Sequence, residues 1–191
     1  MLSNFVTQVF VYLLHLAGWS FTDEPSVKKG IVLVAGHTSN WDFPLGLLFS
    51  KAAKMKIRYT IKKEWIRFPF SYFFLSTGAI GIQRKFKTGE QKVDYSSQMI
   101  QMFEKSDQLF LVITPEGTRS ANGQWKKGFY RIAKKANVPL VMGYIDYKKK
   151  EVGCHHIIYP KETYEETQKE INDFYAKINP KYPEKFILPK L

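Results

Sequence analysis

Unbroken apolar runs, short enough to be strands, recur along the chain between longer stretches of helical character. Residues 31–35 read Ile-Val-Leu-Val-Ala and stop at Gly36, and residues 109–113 read Leu-Phe-Leu-Val-Ile. Strands that are apolar at successive positions belong to sheets covered on both faces, as parallel sheets are. Further strands are expected at 57–61, 79–83, 138–144 and 157–159. Helices are expected at 43–55, at 65–75 with an interruption at Pro69, and at 91–105, 129–136 and 162–178. Asp42 stands where the helix at 43–55 needs an N-cap, and Pro44 suits its first turn. The alternation of strand and helix predicts an α/β fold: one domain with a largely parallel, mixed sheet flanked by helices. No repeat, low-complexity tract or linker divides the chain.

The stretch 5–19 is apolar and carries no formal charge when His15 is neutral. It is shorter than the ~20 residues a membrane span needs, and no Lys or Arg precedes it as in a signal peptide. Two readings stay open: a helix buried on the domain, or an interfacial helix with Tyr12 and Trp19 at headgroup level. The composition, 45% hydrophobic and 24% charged, is that of a globular chain and excludes a disordered, collagen-like or polytopic membrane protein. A single cysteine, Cys154, excludes an internal disulfide framework and a Cys-rich zinc module. The net charge of +12 points to an anionic partner: nucleic acid, an anionic membrane surface or a phosphorylated small molecule.

Two loops that follow strands carry concentrated chemistry. His37 precedes Asp42 by five positions across a strand-to-helix turn. On a regular helix such residues point apart, so the two meet only if His37 lies in the turn and Asp42 in the first helical turn. The carboxylate would then fix one imidazole nitrogen and leave the other to act as a general base. The bland alternative is a structural His followed by a capping Asp. The second loop, Pro115-Glu116-Gly117-Thr118-Arg119-Ser120, is a Pro/Gly turn that projects Glu116, Thr118 and Arg119. Arg119 suits a phosphate or a local ion pair with Glu116.

Together these segments resemble the H-x4-D and P-E-G-T-R-S blocks of the lysophospholipid acyltransferases, the family typified by 1-acylglycerol-3-phosphate acyltransferase. Weaker similarities fall in the family's order: Lys63-Glu64-Trp65 with Pro69, Gly78-Ala79-Ile80-Gly81-Ile82-Gln83-Arg84, Lys126-Lys127-Gly128 and Val138-Pro139. The resemblance runs from about residue 30 to residue 143. Gly36 departs from the Asn often found before the His, Gln83 from an Asp, and the second Pro of the last block is absent.

The resemblance implies a glycerolipid acyltransferase-like fold, residues 21–191 forming the acyltransferase domain behind a membrane-associating helix at 1–20. It also implies acyl transfer from a thioester donor, acyl-CoA or acyl carrier protein, to a lysophospholipid hydroxyl, with 1-acylglycerol 3-phosphate the leading acceptor. His37 would be the base and Asp42 its orienting partner. Lys63, Arg84, Glu116, Gly117, Thr118 and Arg119 would bind substrate, and the cations Lys63, Arg84 and Arg119 would meet a phosphate. Backbone amides near Gly117 or in the helix after His37 would face the oxyanion. No cofactor or metal is implied, and Cys154 is not a nucleophile. Another lysolipid acceptor, or a silent lipid-binding relative, is the alternative.

A lipid acceptor requires access to a membrane. Lys51, Lys54, Lys56, Arg58, Lys62, Lys63 and Arg67 face a single acid, Glu64, in their stretch, and the aromatics of 65–75 lie beside them. Such a patch suits the cytoplasmic face of an anionic membrane, each cation adding ~1 kcal/mol near the surface. A nucleic-acid-binding module would explain the charge but not the two motifs, and zinc-finger or RNP-like patterns are absent from the sequence. Cys154, His155 and His156 are adjacent and poorly placed to share one tetrahedral metal site.

Overall fold

The computed structural model describes residues 4–83, 94–119, 121 and 123–191. Strands β1 (Ser20–Phe21), β2 (Lys29–Val34), β3 (Ile57–Lys62), β4 (Ala79–Ile82), β5 (Leu109–Ile113), β6 (Leu140–Asp146) and β7 (Glu151–Ile158) form one sheet in the order β1-β7-β6-β2-β5-β3-β4. All neighbours run parallel except β6 and β7. The helices are α1 (Asn4–Leu16), α2 (Asp42–Ala52), α3 (Ser71–Ser76), α4 (Tyr95–Glu104), α5 (Gly128–Ala136) and α6 (Tyr164–Tyr175).

The continuous apolar strands are explained by their two faces. Ile31 and Leu33 of β2, Leu109 and Leu111 of β5, and Leu140 and Met142 of β6 enter a large core. That core is completed by Met99 and Phe103 of α4, Phe129 and Ile132 of α5, and Ile171 and Tyr175 of α6. The intervening Val32, Phe110 and Val141 enter a smaller core with Phe49 of α2. Period-two geometry sends neighbours to opposite faces, and helices on both faces bury both sets. The Tyr175 hydroxyl, fully buried, donates to the carbonyls of Leu33 and Gly143, so α6 is tied to the two central strands.

Several boundaries differ from the sequence expectation. The helix expected at 65–75 divides: a 3₁₀ turn spans Lys63–Trp65, and α3 begins only at Ser71. Pro69 lacks an amide hydrogen and restricts the residue before it, so a regular helix starts after it. The strand expected at 157–159 is the end of the longer β7, which includes His155 and His156. The helix expected at 162–178 is shorter, starting at a capping box in which Thr163 and Glu166 satisfy each other's amides. Residues 91–93 of the helix expected at 91–105 lie outside the described residues.

The connection leaving β2 passes through α2 on one face. The connection leaving β5 passes through α5 on the other. Adjacent strands whose connections depart to opposite faces open a crevice at their carboxyl ends, where α/β proteins bind ligands.

Candidate active site

Beyond β2 the chain makes a turn at 36–41 before α2. Gly36 has φ +71, a left-handed conformation that disfavours any side chain, and Pro180 and Phe186 lie against it. His37 follows in the turn. Asp42 is the first residue of α2; Trp41, not Asp42, occupies the cap position and makes no side-chain cap bond. The expected capping role is therefore corrected. The Asp42 carboxylate turns back instead, and its Oδ2 accepts from the Ser39 amide at 2.9 Å.

His37 and Asp42 meet as the dyad reading requires. His37 Nδ1 lies 3.0 Å from Asp42 Oδ2. Tyr147, one residue past β6, donates its hydroxyl to Asp42 Oδ1 at 2.6 Å. Asp42 is 6% exposed. Burial alone would raise its pKa, but the bonds from His37, Tyr147 and Ser39 outweigh it and hold the carboxyl below its ordinary value. An ionised carboxylate only accepts, so His37 Nδ1 carries the proton and Nε2 presents a lone pair. Burial, reinforced by the Asp42 charge, pushes the Tyr147 hydroxyl up, so it remains a donor.

The loop after β5 supplies the opposite wall. Glu116 Oε1 accepts from the Gly36 amide at 2.8 Å, tying the two loops together. Glu116 Oε2 is buried and has no hydrogen-bond partner among the described residues. Burial raises the Glu116 pKa, offset only in part by the Gly36 amide. Gly117 holds φ +64 in this turn, and its amide donates to the Thr114 carbonyl at 3.2 Å. That amide is committed within the turn, so any oxyanion donor from this loop comes from a neighbouring amide. Arg119 reaches across: its Nε donates to His37 Nε2 at 3.5 Å and its Nη1 to Asn40 Oδ1. Thr118 is exposed on the same turn.

Of the remaining expected residues, Lys63 stands apart from these loops in the sheet order. Lys63 opens the 3₁₀ turn after β3, and β3 is separated from β2 by β5. Lys63 lies against Gly81 of β4 and lines neither cavity described below. Arg84 and Ser120 fall outside the described residues. Cys154 is buried on β7, its thiol pushed up to about 12 chiefly by burial, with Met55 Sδ 3.7 Å away. Among the described residues, no group of three or more His, Cys, Asp or Glu side chains could hold a metal ion. Tyr147, Asn40 and Tyr182 were not singled out from the sequence. Tyr147 and Tyr182 come from segments without motif or periodicity, whereas Asn40 lay inside the H-x4-D block.

Two cavities meet at Trp41. A polar one of about 550 Å³ beside His37 is lined by Thr38, Ser39, Asn40, Arg119, Tyr182 and Lys185. An apolar one of about 1330 Å³ runs under α1, α2 and α3 from Trp41 and Tyr147 to Ile57 and Leu109, at the amino ends of β3 and β5. It therefore spans a six-residue strand, ~20 Å. A pocket for a compact small molecule measures ~300–1,000 Å³, so this groove suits a long apolar ligand.

A family model described as Acyltransferase matches residues 20–145, more than half of the chain. No curated protein and no solved structure matches the chain. The matched segment contains β1 to β5 with both site loops and nearly all of β6. The chain belongs to the acyltransferase family.

Proposed function

We propose that the chain moves a fatty acyl group from a thioester, acyl-CoA or acyl carrier protein, to the free hydroxyl of a lysophospholipid, with 1-acylglycerol 3-phosphate as acceptor and phosphatidate as product. The observation that carries this reading is the His37–Asp42 pair, 3.0 Å apart at the carboxyl end of β2, with the second imidazole nitrogen turned toward Arg119, which lines the polar cavity. His37 Nε2 removes the acceptor's hydroxyl proton as the oxygen attacks the thioester carbonyl. Asp42 holds the imidazole in the required tautomer and stabilises its protonated form. The tetrahedral intermediate collapses with loss of the thiolate, which takes the proton back from His37. Of the amides at the amino end of α2, those of Trp41, Asp42 and Leu45 are bonded locally and Pro44 has none, which leaves the Phe43 amide for the developing oxyanion. The apolar groove takes an acyl chain, and the polar pocket takes the acceptor's head.

Access to a lipid acceptor is supported by the surface. Among the described residues no helix is long and apolar enough to cross a membrane. Yet α1 buries only Thr7 and exposes Phe5, Phe10, Tyr12, Leu13 and Leu16. Trp65, Phe70 and Tyr72 are exposed beside the basic stretch 51–67, and Phe68 is 94% exposed. In this reading α1 and the 65–75 segment lie in the interface at the cytoplasmic face of an anionic membrane. Purified protein on anionic vesicles, given each donor with a panel of lysolipids, should form phosphatidate from 1-acylglycerol 3-phosphate. Preferential acylation of a different lysolipid would replace the acceptor. No product from any pairing would refute the reading.

A further inference from the structure

The C-terminal tail, residues 176–191, lies beyond the matched family segment, yet it forms a wall of the polar pocket. It is anchored along its length. Asn179 Nδ2 and the Asn179 amide donate to buried Asp146 Oδ2 at 2.9 and 3.3 Å, and the Tyr147 amide donates to the Asn179 carbonyl at 2.8 Å. The Tyr182 amide donates to Thr38 Oγ1 at 3.2 Å, next to His37. Farther on, Asn172 Nδ2 donates to the Pro189 carbonyl at 2.9 Å. Pro180 and Phe186 close over Gly36.

This path carries two cations to the site. Lys181 Nζ lies 6.0, 5.8 and 5.7 Å from the ring centres of Trp41, Tyr147 and Tyr182. Lys185 Nζ lies 4.4 Å from the Tyr182 ring, and Lys185 lines the polar pocket together with Arg119. Ring faces orient an ammonium without neutralising it. Among the described residues, no carboxylate lies within 4.0 Å of the charged groups of Lys181, Lys185 or Arg119. The carboxylate of the dyad, Asp42, has both oxygens occupied by His37, Ser39 and Tyr147. Arg119 and Lys185 line the polar cavity and Lys181 lines the apolar one, and the two cavities meet at Trp41; like charges gathered there without a counter-charge favour an anion between them.

We infer that Lys181 and Lys185 of the tail, with Arg119, hold a phosphoryl group of a substrate in the pocket beside His37. The inference rests on the acyl-transfer reading for the word substrate. Two molecules of that reaction carry the chemistry: the acceptor lipid through its phosphate, and a coenzyme A donor through its own phosphates. The N–H groups of Arg119 beyond those bonded to His37 and Asn40, with the two tail ammonium groups, would clamp such a group and set the distance of the attacking hydroxyl, or of the thioester, from His37.

The test is equilibrium binding to the full chain by calorimetry, with glycerol 3-phosphate, coenzyme A and uncharged glycerol as probes. The wild type, the pair Lys181→Gln/Lys185→Gln and the pair Lys181→Arg/Lys185→Arg are compared. Wild type should bind at least one phosphorylated probe and not glycerol. The Gln pair should bind it ~10-fold or more weakly, and the Arg pair should retain it. Weakening for glycerol 3-phosphate assigns the pocket to the acceptor, and weakening for coenzyme A to the donor. Equal affinity of wild type and the Gln pair, or no binding of either phosphorylated probe by wild type, overturns the inference. Lys185→Gln alone carries the same comparison should the double variant fail to fold. The readout is binding, not turnover. A protein that binds as stated but transfers no acyl group would refute the acyl-transfer reading and leave the pocket standing.

Discussion

Tyr147→Phe removes one hydroxyl and almost nothing else. The ring stays available for its edge-to-face packing with Trp19, at 5.4 Å between centres. What is lost is the 2.6 Å bond to Asp42 Oδ1, which leaves Oδ2 with its bonds from His37 and Ser39. A hydrogen bond to a charged group contributes ~1.5–3 kcal/mol. At ~2–4 °C per kcal/mol for a domain of this size, the melting temperature should fall by about 3–12 °C at neutral pH. The pH dependence follows from the direction of the Asp42 shift. Its folded pKa is depressed, so the stability it contributes is present above the ordinary carboxylate range and is lost as pH falls through the folded value. The penalty of Tyr147→Phe should therefore shrink on acidification, since a protonated Asp42 gives up a weaker bond. In the acyl-transfer reaction, kcat should fall ~10–100-fold, the rate equivalent of the same energy. Thermal unfolding across pH, with steady-state kinetics, checks both. A variant with unchanged melting temperature at neutral pH and unchanged kcat would refute the assignment of Tyr147 as the residue that positions Asp42.

Glu116→Gln keeps an acceptor for the Gly36 amide and removes a buried ionisable group. The folded pKa of Glu116 is raised, so wild type loses stability as pH rises from the ordinary glutamate value through the folded one; the melting temperature of the variant relative to wild type should climb across that window, and a flat difference would contradict it. Gly36→Ala forces a side chain into φ +71, with Pro180 Cβ 3.4 Å away. It should cost ~1–3 kcal/mol, read as a fall of about 2–12 °C in melting temperature, and an unchanged value would contradict the packing of the tail on this turn. Cys154, buried and pushed up to about 12, should resist thiol reagents in the native protein and react at the rate of unfolding; rapid labelling of the folded protein would place it elsewhere.

The elements that were legible in the sequence were those with two buried faces. β5 falls at the expected residues because Leu109 to Ile113 are apolar without exception. The spacing of His37 and Asp42 allowed their pairing in one arrangement only and left it conditional; the resemblance to the H-x4-D block is what favoured it. Tyr147 was hidden because it sits 105 residues from Asp42 and meets it only through the adjacency of β6 and β2. Nothing in Asp146-Tyr147-Lys148 signals that adjacency. Lys63 is a different case: a short motif grouped it with the site, while in the fold it follows β3, which β5 separates from β2, and it lines neither cavity. The tail had no hydrophobic period to read. Its course is set by single bonds, such as Tyr182 to Thr38, and by Pro180 and Phe186 filling the space above Gly36. The capping box at Thr163 and Glu166 was readable from its spacing and would have shortened the last helix.

The account rests on His37 as the base of acyl transfer. The most direct measurement compares wild type and His37→Ala, both folded and on vesicles, in transfer of a radiolabelled acyl group from the thioester to 1-acylglycerol 3-phosphate. Loss of a positioned general base should lower turnover by ~10²–10⁴ with the melting temperature nearly preserved. A folded His37→Ala protein that transfers acyl groups at the wild-type rate would contradict the account.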